Sequence, residues 1–566
     1  MKVVIVGGVA GGASAAARLR RLNENAEIVV FEKTGYVSYA NCGLPYYIGG
    51  VIEDKNELAL QTPESFWRRF RIKINVHTEV LSINREKRNV KVKDLLTRRE
   101  WEEHYDKLIL SPGAKPIKPP FSGIDDDRIF TLRTVEDTFR IHDYVKERIP
   151  NSAVVIGGGF IGLELAENLK EMGIDVTIVQ LLNQLMVTLD YDMASFVHNR
   201  LRQAGIDIKL NTSATGFENK DGKIVTLLKD QPGIASDMVI MAVGVVPDSS
   251  LAQSAGLRTG IHGSIYVDEH MQTSDPDIYA VGDAVHIKHF ITGEDALIAL
   301  AGPANKQGRI AADNICGIES TYSGSLGSSI IKLFDMTAAS TGLTETVARA
   351  AGIDCESVVL SPISHAGYYP GAKAMTIKVV FEKNTLQLLG AQIVGSEGVD
   401  KRIDVIATAI HAGIRADKLK NLDLAYAPPY SAAKDPVNMA GFMIENISKG
   451  LVKQYYWSNA WNLPRDGSVT LLDTRTQAEY VRGSAEGYIN IPVDELRDRL
   501  SEIDKQKPVY VMCQSGLRSY IACRILSENG FDCYNFAGGY RFYESVIKEK
   551  MIPDKIYPCG MERTGD

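Results

Sequence analysis

The chain has 566 residues, of which 45% are hydrophobic and 23% charged, a composition typical of a globular protein with several domains. Its net charge of −7 and its pI near 5.9 argue against general nucleic-acid binding. No uncharged apolar run of about 18 residues is present, so no membrane span is predicted. Seven scattered cysteines are an odd number and do not resemble a secreted disulfide pattern. We therefore predict a cytoplasmic protein, and we predict no metal site.

Two segments share one pattern: an apolar strand, a glycine turn, an alanine-rich or apolar helix and a second strand. The first covers Val3–Arg21 and continues into the strand Ile28–Phe31. The second covers Val154–Leu169 and continues into the strand Val176–Val179. Each is a βαβ unit of the dinucleotide-binding type, so two nucleotide-binding domains are predicted.

Further strands are predicted at Lys107–Leu110, Met238–Val243 and Ile278–Val281. From about Gly324 the sequence predicts strands and helices without a glycine fingerprint. The stretch Lys449–Pro464 is rich in aromatic residues and Asn, interrupts the periodicity and predicts a linker.

The C-terminal part predicts a separate α/β block. Its strands are predicted at Thr470–Leu472, Val509–Met512 and Cys533–Phe536. Its helices are predicted at Gln477–Val481 and Arg518–Asn529. Strands that alternate with helices in this way favour a parallel sheet.

The two glycine turns point to bound dinucleotides, because such a turn lets the backbone approach a pyrophosphate at a helix N-terminus. The loop Gly7–Gly12 matches G-x-G-x-x-G except that Val9 takes the second glycine position. Glu32, at the end of the next strand, suits the hydroxyls of an adenosine ribose. The loop Gly157–Gly162 matches fully, but its strand-end residue is Gln180. The choice between NADH and NADPH therefore stays open.

The segment TSDPDIYAVGDA ends in Asp283, which is well placed for a flavin ribityl or phosphate group. With both loops, it makes the chain resemble the flavoprotein disulfide reductases that have two dinucleotide-binding domains. The resemblance implies FAD in the first domain and NADH or NADPH in the second. The residues expected to contact these cofactors are Gly7, Val9, Ala10, Gly12, Glu32, Lys33, Gly113, Gly157, Gly159, Gly162, Gln180 and Asp283.

One cysteine, Cys42, lies in the segment SYANCGLPYYIGG, where most members of that superfamily have a CxxxxC pair. A single redox thiol needs an external partner: a thiol in a mixed disulfide, a persulfide or a sulfenic acid. We expect local backbone dipoles and charge transfer from oxidised flavin to stabilise a Cys42 thiolate. The alternative is a buried structural cysteine.

The same segment resembles the single-cysteine branch, which contains coenzyme A disulfide reductases, NAD(P)H persulfide reductases and related NADH oxidases and peroxidases. The segments QTPESF, HAGYYPGA, GSEGVDKRIDV and AYAPPYSAAKDPVNMAG resemble the coenzyme A disulfide reductases. This resemblance implies that Tyr368 and Tyr426, from the partner subunit, assist reduction by donating a proton. Arg18 and Arg21 share one helix face and suit the phosphates of coenzyme A. The implied coenzyme A contacts are Ser14, Arg18, Arg21, Ser38, Asn41, Asn305 and Lys434.

Cys513 follows the predicted strand Val509–Met512 and opens the loop CQSGLRS at the start of a helix. Backbone amides at such a site can hold an anionic persulfide. With LLDTRTQAEYVRGSAEGYINIP and FAGGYRFY, the loop resembles the rhodanese family, and Asp473 and Arg475 are expected to support it. The predicted loop residues after Cys513 are Gln514, Ser515, Gly516, Leu517 and Arg518. The cysteines expected to be structural are Cys316, Cys355, Cys523, Cys533 and Cys559.

We therefore predict an α/β protein with two doubly wound dinucleotide-binding domains, an α+β dimerisation domain and an α/β rhodanese domain. The predicted boundaries are 1–112 with 245–323 for the FAD-binding domain, 113–244 for the NAD(P)H-binding domain, 324–446 for the dimerisation domain, 447–463 for the linker and 464–556 for the rhodanese domain.

The predicted homodimer reduces coenzyme A disulfide, coenzyme A persulfide or polysulfide through Cys42, while Cys513 delivers sulfane sulfur directly or through a carrier. The fused rhodanese domain favours a persulfide or polysulfide substrate. One alternative is an NADH oxidase or peroxidase in which Cys42 forms a sulfenic acid. Another is a sulfur-trafficking or redox-sensing scaffold with little turnover.

Overall fold

The computed structural model describes residues 1–550. Cys559 and the end of the predicted rhodanese domain lie outside these described residues. The chain divides into two compact units. The first contains Met1–Leu181 and Gly205–Gly327, and the second contains Leu182–Ala204 and the described residues from Ser328 onward.

The first unit contains two five-stranded parallel sheets, each built on one of the predicted βαβ units. In spatial order, the strands of one sheet are Ile278–Ala280, Lys107–Leu110, Lys2–Val6, Glu27–Phe31 and Lys73–Asn75. In spatial order, the strands of the other are Asp207–Lys209, Asp175–Val179, Ser152–Ile156, Met238–Met241 and Ile129–Phe130. Their central strands are continuous apolar runs because both faces of a parallel sheet are covered.

The register of the first sheet brings the predicted cofactor residues to one edge. Val6 pairs with Phe31 on one side and with Leu110 on the other, so the three strands end level. The loops that carry Gly7 and Glu32 therefore leave the sheet side by side. Carboxyl ends of parallel strands are where open α/β sheets bind ligands.

Antiparallel ribbons and helices complete the first unit. The ribbon strands are Thr78–Asn84, Asn89–Asp94 and Glu100–His104; Ala214–Lys220, Lys223–Leu228 and Gln231–Ser236; Ala114–Pro116 with Val245–Pro247; and Ile287–Lys288 with Asp295–Ala296. The α-helices are Ala10–Leu22, Leu44–Ile48, Pro63–Phe70, Val135–Arg148, Phe160–Glu171, Ser250–Ser254 and Ala301–Ile315. The 3₁₀ helices are Asn41–Gly43, Lys55–Leu58, Ile261–Gly263 and Gly282–Ala284.

The second unit contains an antiparallel sheet and a parallel sheet. In spatial order, the antiparallel strands are Ser329–Leu333, Met336–Gly342, Leu388–Gly395, Met375–Glu382 and Cys355–Leu360. In spatial order, the parallel strands are Lys453–Tyr455, Cys533–Phe536, Val509–Met512, Thr470–Asp473 and Ile489–Asn490. The α-helices are Tyr191–Gln203, Glu345–Ala350, Val399–His411, Pro436–Ser448, Trp457–Trp461, Gln477–Arg482, Leu517–Glu528 and Gly539–Lys550, and the 3₁₀ helices are Ala416–Asn421 and Leu500–Glu502.

The predicted linker is wrong in part, because residues 453–461 form regular structure. Lys453–Tyr455 is the edge strand of the parallel sheet, and Trp457–Trp461 is a helix. Tyr455 is 3% exposed and packs its ring against Phe536, with 5.0 Å between the ring centroids. A three-residue strand is too short to produce a periodic pattern, so this burial was not evident from the sequence.

The helix Tyr191–Gln203 belongs to the second unit, although the sequence predicts it within the NAD(P)H-binding domain. Its Ser195 hydroxyl lies 2.9 Å from the Ser545 hydroxyl on the C-terminal helix. Both serines are buried. The grouping therefore depends on contacts between segments that are far apart in the sequence.

Candidate active site

The first glycine loop is shaped by two positions that exclude any side chain. Gly7 has φ +93°, and a Cβ atom there would lie 2.1 Å from the carbonyl oxygen of Ser111. A Cβ atom on Gly12 would lie 1.9 Å from the carbonyl oxygen of Gly7. Val9 has φ −101°, which any residue adopts. This explains why the loop keeps its shape with Val9 at the second glycine position of the motif.

The second glycine loop has the same two constraints and an open middle position. Gly157 has φ +111°, and its Cβ atom would lie 2.2 Å from the Ala242 carbonyl oxygen. A Cβ atom on Gly162 would lie 2.2 Å from the Gly157 carbonyl oxygen. At Gly159, no atom of the described residues lies within 4 Å of such a Cβ. This open backbone at a helix N-terminus fits a dinucleotide pyrophosphate.

The strand-end residues Glu32 and Gln180 make equivalent contacts in the two loops. Glu32 Oε2 accepts a hydrogen bond from the Gly8 N–H at 2.9 Å. Gln180 Oε1 accepts one from the Gly158 N–H at 3.2 Å. Both side chains are buried. Each therefore helps to fix its glycine loop, whatever further contact it makes with a ribose.

Asp283 is paired with a cation that the sequence analysis did not identify. Its carboxylate lies 2.8 Å from Arg133 Nη2. A Cβ atom on Gly113, which has φ +75°, would lie 3.0 Å from the same nitrogen. The Gly113 carbonyl accepts the Asp248 N–H at 2.9 Å, and the Asp248 carboxylate lies 3.4 Å from Lys33 Nζ. The predicted cofactor residues Lys33, Gly113 and Asp283 are therefore joined through Arg133 and Asp248.

Cys42 is exposed and lies in the 3₁₀ helix Asn41–Gly43. The preceding Ser38 has φ +47°, a strained value for a residue with a side chain. Its N–H donates to the Gly8 carbonyl at 2.8 Å, which ties the Cys42 segment to the first glycine loop. All six cysteines of the described residues are free.

The chain's own groups raise the pKa of the Cys42 thiol. The largest cause is partial removal from water, followed by the negative charges of Glu164 and Asp283, and Arg133 opposes them. These effects of burial and side-chain charge oppose a thiolate, whereas its stabilisation by backbone dipoles and oxidised flavin stays a prediction. Tyr46 Oη lies 3.5 Å from Glu164 Oε1, and burial raises the pKa of Glu164 to about 7.

The residues predicted to contact coenzyme A differ in their surroundings. Ser14 Oγ donates to Asn305 Oδ1 at 2.6 Å, which brings two of them together. Arg18 Nε lies 2.6 Å from the Asp313 carboxylate, so that guanidinium is already engaged. Arg21 is exposed. Arg21 Nε donates to the Ala17 carbonyl oxygen at 3.1 Å, so each arginine makes one internal contact through its Nε.

In the second unit, the hydroxyls of Tyr368 and Tyr426 lie 2.7 Å apart. The side chains are 76% and 46% exposed. Their hydrogen bond raises the pKa of Tyr426 above its ordinary value, which already lies well above neutral pH. Lys434, in the segment that follows Tyr426, is exposed.

Cys513 is buried at the bottom of a hydrogen-bonded loop. Its Sγ accepts from the Gly516 N–H at 3.2 Å and lies 3.2 Å from Ser519 Oγ. Gly516 has φ +100°, which requires glycine there. The N–H of Arg541 donates to the Gln514 carbonyl at 3.2 Å, so the final helix also holds the loop. Ser515 and the 56% exposed Leu517 complete it.

Both arginines near Cys513 are paired with carboxylates. Arg518 makes two contacts of 2.7 Å with Glu479. Arg475 lies 2.7 Å from Asp473, and its Nη1 donates to Gln514 Oε1 at 3.3 Å. The loop is therefore supported by two balanced ion pairs.

Five residues near these sites were given no role in the predicted site: Arg133, Tyr46, Glu164, Glu479 and Ser519. Ser519 directly follows the arginine of CQSGLRS, and Glu164 lies just inside the helix after the second glycine loop. Those two could have been proposed from their motifs. Tyr46 and Glu479 also lie in segments that carry a family resemblance, but their roles, like that of Arg133, arise from tertiary contacts.

Comparison with known families agrees with this geometry. Residues 1–308 match the pyridine nucleotide-disulphide oxidoreductase model, residues 328–436 match its dimerisation domain, and residues 457–545 match the rhodanese-like domain. The chain therefore belongs to the pyridine nucleotide-disulphide oxidoreductase family and carries a rhodanese-like domain.

Three relatives illustrate the similarity. A coenzyme A disulfide reductase from Staphylococcus aureus is 37% identical over 449 residues, which are 78% of this chain and 99% of the relative. The crystal structure of reduced Bacillus anthracis CoADR-RHD is 48% identical, with a TM-score of 0.94, covering 97% of this chain and 98% of that one. A NAD-dependent persulfide reductase from A. fulgidus is 39% identical, with a TM-score of 0.91, covering 96% and 100%.

The predicted fold class, enzyme class and cofactors are confirmed. The protein is a flavoprotein oxidoreductase that uses FAD and NAD(P)H, and its relatives favour the first predicted function over both alternatives. Among the described helices, none has the length and apolar character needed to cross a membrane.

Proposed function

We propose that this enzyme reduces coenzyme A disulfide or coenzyme A persulfide at Cys42, in the cytoplasm and as a homodimer. The observation that carries the proposal is that Cys42 is an exposed, free thiol in the segment that is tied to the first glycine loop. Without a second cysteine in that segment, the other sulfur of the redox disulfide comes from the substrate. The names of the similar proteins support this substrate class.

The proposed reaction needs one sulfur from Cys42 and one from the coenzyme A substrate. The Cys42 thiolate attacks the sulfur bonded to coenzyme A, the substrate S–S bond breaks, and a Cys42–S–S–CoA mixed disulfide forms. The leaving group is coenzyme A thiolate from the disulfide, or hydrosulfide from the persulfide. When bound, FAD carries two electrons from NAD(P)H to this site. These electrons and one proton then return Cys42 to the thiolate and release coenzyme A thiol.

We assign the proton to the pair Tyr368 and Tyr426, which the family resemblance brings from the partner subunit. Tyr426 carries a phenolic proton at neutral pH, and its hydroxyl lies 2.7 Å from that of Tyr368. A further assignment concerns the coenzyme A contacts: Ser14, Arg18, Arg21, Ser38, Asn41, Asn305 and Lys434. The bond between Ser14 and Asn305 supports grouping those two.

We assign sulfane-sulfur delivery to Cys513, whose Sγ accepts the Gly516 amide. A cysteine with this environment can carry an anionic persulfide. Reduction of a simple disulfide needs no sulfur carrier, so the fused domain favours a persulfide as the working substrate. We also propose the domain boundaries predicted from the sequence, except that residues 453–461 of the predicted linker form a strand and a helix.

The test is anaerobic NADH and NADPH oxidation with coenzyme A disulfide, coenzyme A persulfide, polysulfide and peroxide. Wild type is compared with Cys42→Ser and Cys513→Ser, and Cys316→Ser serves as a matched cysteine control. We expect Cys42→Ser to abolish turnover of every sulfur substrate. Full activity of that variant would refute the proposal, and faster turnover of peroxide than of any sulfur compound would favour the peroxidase alternative.

A further inference from the structure

The paired tyrosines Tyr368 and Tyr426 need support from elsewhere in the protein. They lie outside regular helices and strands, and their side chains are largely exposed. Exposed rings bury little apolar surface, and a hydrogen bond between exposed hydroxyls contributes little net free energy in water. Their 2.7 Å contact therefore depends on what holds the two segments together.

Arg402 is a buried group that contacts both of these segments. It lies in the helix Val399–His411 and is 1% exposed. Its Nη2 donates to the Ser364 carbonyl oxygen at 2.9 Å, shortly before Tyr368 in the chain. This fixes the backbone from which the Tyr368 segment departs.

The same nitrogen of Arg402 reaches the segment that carries the second tyrosine. It lies 3.1 Å from Ser431 Oγ, 3.5 Å from the Tyr430 carbonyl oxygen and 3.0 Å from the Asp435 carboxylate. Ser431 Oγ also donates to Asp435 at 2.6 Å. Ser431 and Asp435 are buried, so this network is shielded from water.

Apolar packing does not replace these polar links. Tyr426, Lys401 and Arg402 help to line a cavity of about 530 Å³, so the space between them is not filled by side chains. One backbone hydrogen bond, from the Ala366 N–H to the Ser431 carbonyl at 3.0 Å, also joins the two segments. The buried guanidinium is thus a principal connection between them.

We infer that Arg402 is a positioning residue that holds Tyr368 and Tyr426 together for proton donation, an inference that rests on the proposed function. A guanidinium suits this task because its Nη1 donates to the Gly398 carbonyl oxygen at 3.2 Å while its Nη2 contacts acceptors in both tyrosine segments. Arg402 acts on the reaction through the tyrosines rather than by contact with substrate.

The test measures NAD(P)H oxidation by the FAD-loaded enzyme with coenzyme A disulfide and, separately, with ferricyanide, which takes electrons without needing the tyrosines. We expect Arg402→Met to lower kcat with coenzyme A disulfide by roughly tenfold to a hundredfold. Turnover with ferricyanide and the KM for NAD(P)H stay at wild-type values. Arg402→Lys, which keeps the charge beside Asp435, recovers part of the loss.

Two further variants separate positioning from general damage. Arg415→Met is the matched control, because Arg415 pairs with Asp417 in the same unit, and it leaves all rates unchanged. In a Tyr368→Phe/Tyr426→Phe background, adding Arg402→Met causes no further fall. If Arg402→Met does not accumulate as folded protein, Ser431→Ala removes one buried contact and lowers only the coenzyme A disulfide rate.

The outcomes distinguish this inference from the proposed function. Three results would overturn the Arg402 role alone. Arg402→Met could keep wild-type turnover with coenzyme A disulfide, or it could lose as much turnover with ferricyanide as with coenzyme A disulfide. It could also lower turnover equally in the Tyr368→Phe/Tyr426→Phe background. If the double phenylalanine variant itself keeps wild-type turnover, the proton-donor role fails, and the Arg402 role fails with it. If the fallback is used, wild-type turnover by Ser431→Ala overturns the Arg402 role.

Discussion

The Tyr46 hydroxyl lies 3.5 Å from the Glu164 carboxylate, and the charge of Glu164 helps to raise the pKa of the Cys42 thiol. Burial raises the pKa of Glu164 to about 7, so this carboxyl is part protonated near neutral pH. As the pH rises, a negative charge appears beside the redox thiol. Glu164 therefore couples the reactivity of Cys42 to pH near neutrality.

We expect Glu164→Gln to lower the pKa of the Cys42 thiol, because it removes the nearby negative charge. Alkylation of Cys42 by iodoacetamide at pH 8 should then accelerate by roughly threefold, as followed by mass spectrometry of the Cys42 peptide. Glu171→Gln, on the exposed part of the same helix, is the control and should leave the rate unchanged. An unaltered rate in Glu164→Gln would show that its charge does not reach the thiol.

The stability of the protein should depend on pH through the same carboxyl. The pKa of Glu164 is higher in the folded protein than its ordinary value, so folding favours the protonated form. Its favourable contribution is complete below the unfolded-state pKa and is lost as the pH rises through about 7. We therefore expect Glu164→Gln to raise the thermal unfolding temperature more at pH 8.5 than at pH 5.5. An equal rise in the unfolding temperature at pH 8.5 and pH 5.5 would contradict the raised pKa of Glu164.

The tyrosine pair gives a third prediction. We expect Tyr368→Phe and Tyr426→Phe each to lower kcat with coenzyme A disulfide by roughly tenfold to a hundredfold, because each removes part of the proton-donating pair. Tyr430→Phe is the matched control, since Tyr430 is an exposed tyrosine in the segment that follows Tyr426. Steady-state kinetics with saturating NAD(P)H measure the effect. A comparable loss in Tyr430→Phe would indicate that these substitutions act through the segment rather than the hydroxyls.

The sequence identified the groups that lie in motifs but not the partners that modify them. The two glycine loops, Cys42 and Cys513 are recognisable because each occupies a fixed position in a strand, turn and helix pattern. The electrostatic surroundings of these groups, in contrast, depend on residues that only the fold brings near them. Arg18 looks available to a phosphate until the fold brings Asp313 against it, and periodicity carries no signal for such a contact.

The same limit applies to the pKa of the Cys42 thiol. The sequence around Cys42 predicted its local backbone, but it did not predict that Glu164 and Asp283 would act on the thiol. Glu164 lies on the helix Phe160–Glu171, far from Cys42 in the chain. The net effect on a pKa is a sum over such distant neighbours, so it becomes predictable only after the fold is known.

The ion pair between Arg518 and Glu479 gives a prediction about the sulfur donor. The guanidinium holds the pKa of Glu479 at about 2, so the carboxylate stays charged and neutralises Arg518. Arg475 is likewise neutralised by Asp473. A doubly negative donor such as thiosulfate therefore meets little net positive charge near Cys513.

We expect the wild-type rhodanese domain to take sulfur from a thiol-bound persulfide faster than from thiosulfate. Glu479→Gln frees the Arg518 charge and should raise thiosulfate turnover by roughly threefold to tenfold. Glu486→Gln, at an exposed position of the same domain, should leave it unchanged. Cyanide-dependent thiocyanate formation by the full-length protein measures both. A preference of the wild type for thiosulfate would contradict the electrostatic argument.

The buried lysine Lys378 gives a prediction about stability. It is 3% exposed and lies 3.1 Å from Asp190, 2.8 Å from Asp192 and 3.0 Å from Glu345. Burial lowers its pKa, but the three carboxylates outweigh burial and raise that pKa well above its usual range. Lys378→Met leaves Asp190 and Asp192 without this cation, whereas Glu345 keeps Arg349, and it should cost about 3–5 kcal/mol in the free energy of unfolding. Urea unfolding followed by tryptophan fluorescence measures this cost, and the exposed Lys383→Met is the control.

The two aspartates of this cluster should differ in their effect. Burial opposes ionisation of Asp190, but Lys378 and several hydrogen bonds hold its pKa below the usual range, whereas burial raises the pKa of Asp192. Asp190 also accepts the Thr346 hydroxyl at 2.6 Å and the Gln392 amide at 2.6 Å. Asp190→Asn should therefore destabilise the protein more than Asp192→Asn, and the difference should shrink as the pH falls and Asp190 becomes protonated. Equal costs at neutral pH would mean that Lys378 is shared evenly between the two carboxylates.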